Sequence, residues 1–251
     1  MLVRHIPHSC THIPSKYRKN FLLSDDDLRA EILRLTDWYT EELFTDDESD
    51  EVIFPVSRIV CDPERFLDDE LEPAARVGMG VFYTLGTKGQ LIRREDDSLR
   101  EQLIAHYYQP HHQTLSTKVS KYLNNLGKAG VLDCHSFPSV PLPTDDHLSM
   151  DRPDFCLGFD EFHVSHELIQ ECQSLISLQG FTVSINTPYS GCLIPADHYK
   201  ANSRVLGLMV EVNRGIYMDE QTGEKTDQFS RIQKIISDCI LEPFKECLLN
   251  L

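Results

Sequence analysis

Short apolar runs alternating with stretches of helical spacing restrict this sequence more than any other feature. Residues 2–7, 52–60, 131–136, 155–159, 181–186 and 205–212 each read as a strand. Ser24 with Asp27 reads as an N-cap, and Leu28, Ile32, Leu35 and Leu43 carry that helix through Asp37-Trp38-Tyr39. Ser98 and Glu101 read as a capping box opening a long helix that runs through Leu103, Leu115 and Leu126 to Gly127, with a kink expected at Pro110. Residues 165–179, closed by Gly180, and residues 229–248 complete the helices, while 62–79 reads as loop. Strands alternating with helices predict an α/β fold: a single-domain sandwich over residues 1–251, with a mixed, mostly parallel central sheet flanked by helices.

The 251 residues carry a net charge of −16, with 41% hydrophobic and 25% charged side chains, the make-up of a folded globular protein. The deficit of Lys and Arg argues against binding nucleic acid or anionic membrane surfaces, because both contacts rest on basic side chains neutralising phosphate. No window reaches the ~20 apolar residues of a membrane span. The opening MLVRHIPHSCTHIP lacks the apolar run of a signal peptide, so a cytoplasmic protein is expected. The eight cysteines include no C-x-x-C pair and are expected to be packed thiols.

Sites in α/β sheets form beyond the carboxyl ends of strands, so the residues to collect are His8, Arg58, Asp133 with His135, and Glu211. Strand alternation puts Asp133 and His135 on one face and Cys134 on the other. That counts against a Cys134/His135 nucleophilic pair and favours a metal-binding histidine with a carboxylate beside it. A lone histidine is more often a hydrogen-bonded core group; two at separate strand ends, with carboxylates, weaken that reading. Zinc catalysis requires about three protein ligands, an open position for water, and a carboxylate that takes the water's proton. Glu211 suits the last task, because a carboxylate in an apolar strand is costly to bury without a partner, unless its strand edge faces solvent. Arg58 and Arg65, flanking Asp62, are placed either to orient a carboxylate and polarise a carbonyl or to form an ordinary ion pair. His111 and His112 point ~100° apart on a helix and do not share a metal, which leaves His112 as a substrate contact or a surface group. The segment Asn186-Thr187-Pro188-Tyr189-Ser190-Gly191 reads as a turn after a strand.

In order, the segments Pro7-His8-Ser9, Asp37-Trp38-Tyr39, Ser57-Arg58 through Asp62 to Arg65, Tyr108-Gln109-Pro110-His111-His112, Leu132-Asp133-Cys134-His135-Ser136, Pro188-Tyr189-Ser190-Gly191, and Glu211 through Tyr217-Met218-Asp219-Glu220 span nearly the whole chain. Together they resemble the N-formylglutamate amidohydrolase family. The resemblance implies a zinc-dependent, exopeptidase-like α/β fold related to carboxypeptidases and aspartoacylase, hydrolysing an amide next to a carboxylate. By the same resemblance His8 and His135 are Zn²⁺ ligands with Asp37 as the third, and His12 is the alternative to Asp37. Glu211 matches the general base, Arg58 a carbonyl-polarising arginine and Arg65 a carboxylate clamp, with Asp62, His112 and Gly191 among the substrate contacts. The implied partner is a small N-acyl amino acid. The rival readings are a peptidase or deacylase of the same fold acting on a bulkier compound, and a binding protein without catalysis. Family members usually carry Asn-Arg where this chain has Glu64-Arg65, and a basic residue where it has Ser190. Both changes remove groups that hold a dianion, so a monoanionic or neutral N-acyl compound is expected to be preferred over N-formylglutamate.

Overall fold

A computed structural model of the chain describes residues 1–145 and 147–251. In chain order, β1 (Leu2–Ile6), α1 (Ser15–Arg18), α2 (Asp25–Leu35) and α3 (Thr40–Leu43) lead to β2 (Asp50–Ile53). Next, α4 (Asp97–Leu103) and α5 (Gln109–Leu126) precede β3 (Ala129–Phe137) and β4 (Phe155–Gly158). After α6 (His166–Leu178), β5 (Val183–Ile185) and β6 (Val205–Asn213) come α7 (Phe229–Ile236) and α8 (Glu242–Asn250). The six strands form one sheet in the order β2-β1-β3-β6-β4-β5. Every neighbouring pair is parallel except β4 with β6. This is the mixed, mostly parallel sheet that the sequence pattern predicts.

The central strands β3 and β6 are buried along their whole length, because helices cover both faces of the sheet. Leu132 and Cys134 of β3, with Leu208, Val210 and Val212 of β6, pack on one side against Ile169, Ile232 and Phe244. On the other side Val3, Val131 and Val205 meet Leu115 and Val119 of α5. That second face changes character along the strands: Val3 gives way to His5, and Val131 to Asp133 and His135. Apolar residues thus anchor the N-terminal half, while polar ones gather toward the C-terminal ends. Two glycines let the connection after β5 lie close over this face. A Cβ at Gly158 would stand 2.4 Å from the Gly191 carbonyl oxygen, and one at Gly207 2.3 Å from Ile194 Cδ1.

Several boundaries differ from the expectations. The helix opened by Ser24, whose hydroxyl accepts from the Asp27 amide, stops at Leu35 and does not continue to Leu43. Arg214 Nη1 donates to the carbonyls of Leu33, Arg34 and Thr36, and Trp38 Nε1 to that of Leu33. These bonds satisfy the terminal acceptors, and a cation suits that end of the helix. The strand expected over 52–60 ends at Ile53, because Pro55 has no amide to continue a ladder. Asp96, not Ser98, caps α4, its side chain accepting from the Leu99 amide. A 3₁₀ turn, Pro73–Val77, sits inside the expected loop. Just before Pro110, where a kink is expected, a π-helical turn at Ile104–Tyr108 joins α4 to α5, and the same device at Ser237–Leu241 precedes Pro243. The amides of Gln109 and Glu242 reach back five residues, to Ile104 and Ser237. The wider turn makes room for a proline that cannot donate and would crowd a carbonyl. All eight cysteines are free thiols, five buried and three half-buried. Among the described residues no helix is long and apolar enough to cross a membrane.

Candidate active site

The C-terminal ends of the parallel strands open into a cavity of about 1260 Å³. Strand pairing sets its floor, with His135 opposite Glu211 and Asp133 beside them, while His5, opposite Asp133, lies beneath and does not line the cavity. His8 follows two residues after β1, and its carbonyl accepts the Asp37 amide at 3.0 Å, which ties the segment after α2 to the strand end. Asp37 thereby reaches both histidines. Its Oδ2 lies 2.9 Å from His135 Nδ1 and 3.6 Å from His8 Nδ1. These three buried side chains offer ligand atoms within 4.8 Å of one another.

The residues behind them fix which nitrogens are free. His8 Nε2 donates to Asp62 Oδ1 at 2.8 Å, leaving Nδ1 buried without a hydrogen-bond partner. His135 Nε2 lies 3.1 Å from Asp133 Oδ1, which also takes a 2.7 Å bond from His5 Nδ1. A carboxylate behind the imidazole that faces a metal is the usual way of setting its tautomer and orientation. The donor set of two Nδ1 atoms and one carboxylate oxygen, with His8 Nδ1 otherwise orphaned, therefore fits a zinc ion.

Asp62 is fully buried and does not line the cavity. Besides His8 it receives Arg58 Nε at 3.0 Å, the Tyr83 hydroxyl at 2.7 Å and the Glu64 amide at 3.0 Å. Arg58 is thus held with Nη1 toward Asp37 Oδ1, 3.8 Å away. The Arg65 guanidinium borders the cavity, with no side-chain acceptor in hydrogen-bond range among the described residues. His112 Nε2 donates to the Pro63 carbonyl at 2.7 Å, and burial lowers its pKa, so the ring is neutral with Nδ1 as an acceptor. Gly191 and Ser190 also line the cavity. His12 is exposed and outside both groups of close ligand atoms.

Burial works against protonating His8 and His135, but the carboxylates around them prevail and raise both above the ordinary histidine value. Burial likewise opposes ionising Asp37, yet its bonds from His135 and His8 hold it well below the carboxylate range. The site therefore attracts positive charge. Glu211 differs: burial pushes it up to about 8, against the pull of His135 and with the help of Asp37. Its Oε2 has no hydrogen-bond partner.

Sequence reasoning did not anticipate the place of Glu64. It reaches into the cavity floor, with Oε2 3.2 Å from His135 Nε2 and 3.6 Å from His8 Nδ1. His5 and Tyr83 were also missed. The polar pair Arg4-His5 inside a short strand was the available signal for His5, whereas nothing local marks Tyr83.

Imidazoles, carboxylates and two arginines gathered at the strand ends of an α/β sheet define a hydrolase-type site. The model of the N-formylglutamate amidohydrolase family matches residues 1–218, and the chain belongs to that family, whose chemistry is hydrolysis of an amide bond. A crystal structure of N-formylglutamate amidohydrolase from Ralstonia eutropha superimposes with a TM-score of 0.82 at 24% identity, covering 100% of this chain and 95% of that one. The crystal structure of a gene product from Agrobacterium tumefaciens gives 0.67 at 18%, covering 98% and 91%. Both likenesses show the shared fold. No match is found among curated proteins.

The raised pKa of Glu211 has a consequence for stability. In the metal-free protein, between about 4.5 and about 8, the unfolded chain has released the Glu211 proton while the folded chain keeps it. Glu211 therefore makes stability fall as pH rises through that window. Glu211→Gln removes this slope, so the metal-free variant should melt several degrees above wild type at pH 8.5 and close to it near pH 5. Parallel melting curves across that range would contradict the assignment.

Proposed function

We propose that the protein is a zinc-dependent hydrolase of N-acyl amino acids, with the ion held by His8, Asp37 and His135. The observation that carries this reading is the position of Glu211. It is the register partner of His135, it borders the cavity, and its Oε2 is unpartnered. Zinc bound there would acidify a water molecule and polarise the acyl carbonyl. Glu211 Oε2 takes the proton as the water oxygen bonds to the acyl carbon, and returns it to the nitrogen as the C–N bond breaks. Arg58, fixed by Asp62, faces the acyl oxygen as it gains charge. The Arg65 guanidinium, whose Nε stands 3.9 Å from both Asp62 Oδ2 and Glu72 Oε1 without a hydrogen bond, takes the carboxylate of the amino acid. Asp62 acts through His8 and Arg58, while His112 Nδ1 and the Gly191 backbone border the substrate.

Glu211→Gln should keep its metal and lose turnover by ~10²-fold or more. His8→Ala and Asp37→Asn should lose the ion and activity together, with readdition of zinc after chelation restoring only the wild type. Full activity after complete chelation, or loss of metal in Glu211→Gln, would contradict the proposal.

Substrate choice follows from the charge of the same walls. Glu64 adds a carboxylate to the cavity and Ser190 adds no cation, leaving Arg65 to bind one carboxylate. The cavity also exceeds the ~300–1,000 Å³ typical of small-molecule pockets, which favours an N-acyl compound bulkier than N-formylglutamate. The value of kcat/KM for N-formylglutamine and for larger monoanionic N-acyl amino acids should exceed that for N-formylglutamate by about tenfold, the equivalent of ~1.4 kcal/mol. A tenfold preference for N-formylglutamate would contradict this part of the reading alone.

A further inference from the structure

Glu64 turns its two oxygens toward different histidines. Oε2 faces His8 Nδ1 and His135 Nε2, while Oε1 lies 3.6 Å from His5 Nδ1. His5, Glu64 and Asp133 form a second group whose ligand atoms all lie within 4.8 Å, separate from His8, Asp37 and His135. We propose that this chain binds a second divalent transition-metal ion between His5 Nδ1, Asp133 Oδ1 and Glu64 Oε1.

Three observations carry the proposal. Tetrahedral coordination at about 2.0–2.1 Å sets ligand atoms about 3.3 Å apart. The separations of 2.7 Å for His5 Nδ1 to Asp133 Oδ1 and 3.6 Å for His5 Nδ1 to Glu64 Oε1 bracket that value, as 2.9 and 3.6 Å do in the first group.

Second, every cationic partner of Glu64 and Asp133 within 4.0 Å is a histidine; among the described residues neither carboxylate meets a lysine or arginine. Two facing, largely buried carboxylates without a fixed positive charge are costly, and a divalent ion supplies that charge. Third, His5 is held from behind. Its Nε2 lies 2.8 Å from His111 Nε2 on α5, so a proton shared there fixes the ring while Nδ1 faces the carboxylates. One imidazole and two carboxylates suit Zn²⁺, Co²⁺ or Mn²⁺.

The experiment counts ions and does not rely on activity. Metal-free protein is titrated with Zn²⁺ and with Co²⁺ by calorimetry, and bound metal is measured by elemental analysis after gel filtration. Wild type should hold two ions per chain, and His5→Gln and Glu64→Gln one each, with circular dichroism confirming that both variants are folded. Glu64 is partly exposed, so its variant does not depend on refilling a closed core. A single ion that His8→Ala removes and His5→Gln retains would overturn the second site while leaving the catalytic ion in place. Two ions in both His5→Gln and Glu64→Gln would overturn it as well, and no bound ion in wild type would overturn both readings.

Discussion

Nine consecutive register pairs join β3 to β6, and this pairing sets the chemistry as much as the fold. Both strands are buried on both faces, one against the α7 and α8 side and one against α5, so the register has no freedom to slip. A shift of one residue would turn Glu211 into the apolar layer of Val210 and Val212 and send those valines into the cavity. In the register observed, Glu211 stands beside His135 and Met209 beside Asp133. The sheet itself, not a loop, thereby places Glu211 next to His135.

What the sheet cannot place, Asp62 gathers. Its buried carboxylate takes bonds from His8, Arg58, Tyr83 and the Glu64 amide, and nearby Arg58 and His8 hold it ionised well below its ordinary range. Four partners on one desolvated carboxylate make the strand end and the loop after β2 a single unit. The His8 imidazole cannot turn without breaking that set, so Nδ1 stays aimed at Asp37 and Glu64. The cost of burying so many charges falls on the C-terminal half of one sheet face. The apolar half of the same face, Val3, Val131 and Val205 against α5, holds the layer closed.

The parts of this arrangement legible in sequence are those with local causes. The two-residue period alone put Asp133 and His135 on one face and Cys134 on the other, and Cys134 lies in the helix-covered core. The end of α2 was not legible, because the groups that terminate it include Arg214, nearly two hundred positions away. The end of β2 was legible in Pro55 and was outweighed by the β-branched residues around it. For α4, Asp96 and Ser98 are neighbouring cap candidates, and a local pattern does not rank them. In the site, His8, Asp37 and His135 come from three segments that the structure brings together. Glu64 was noticed only as a substituted charge. Its place on the cavity floor follows from the turn in which its amide bonds to Asp62, a feature of the folded loop.

The most direct test of this account is anomalous diffraction at the zinc absorption edge from crystals of the zinc-loaded protein. The account predicts a peak bonded to His8 Nδ1, Asp37 and His135 Nδ1, with His8 Nε2 still on Asp62 and Glu211 uncoordinated. Strong anomalous density bonded to Glu211, or His8 turned away from Asp62 to coordinate through Nε2, would contradict it.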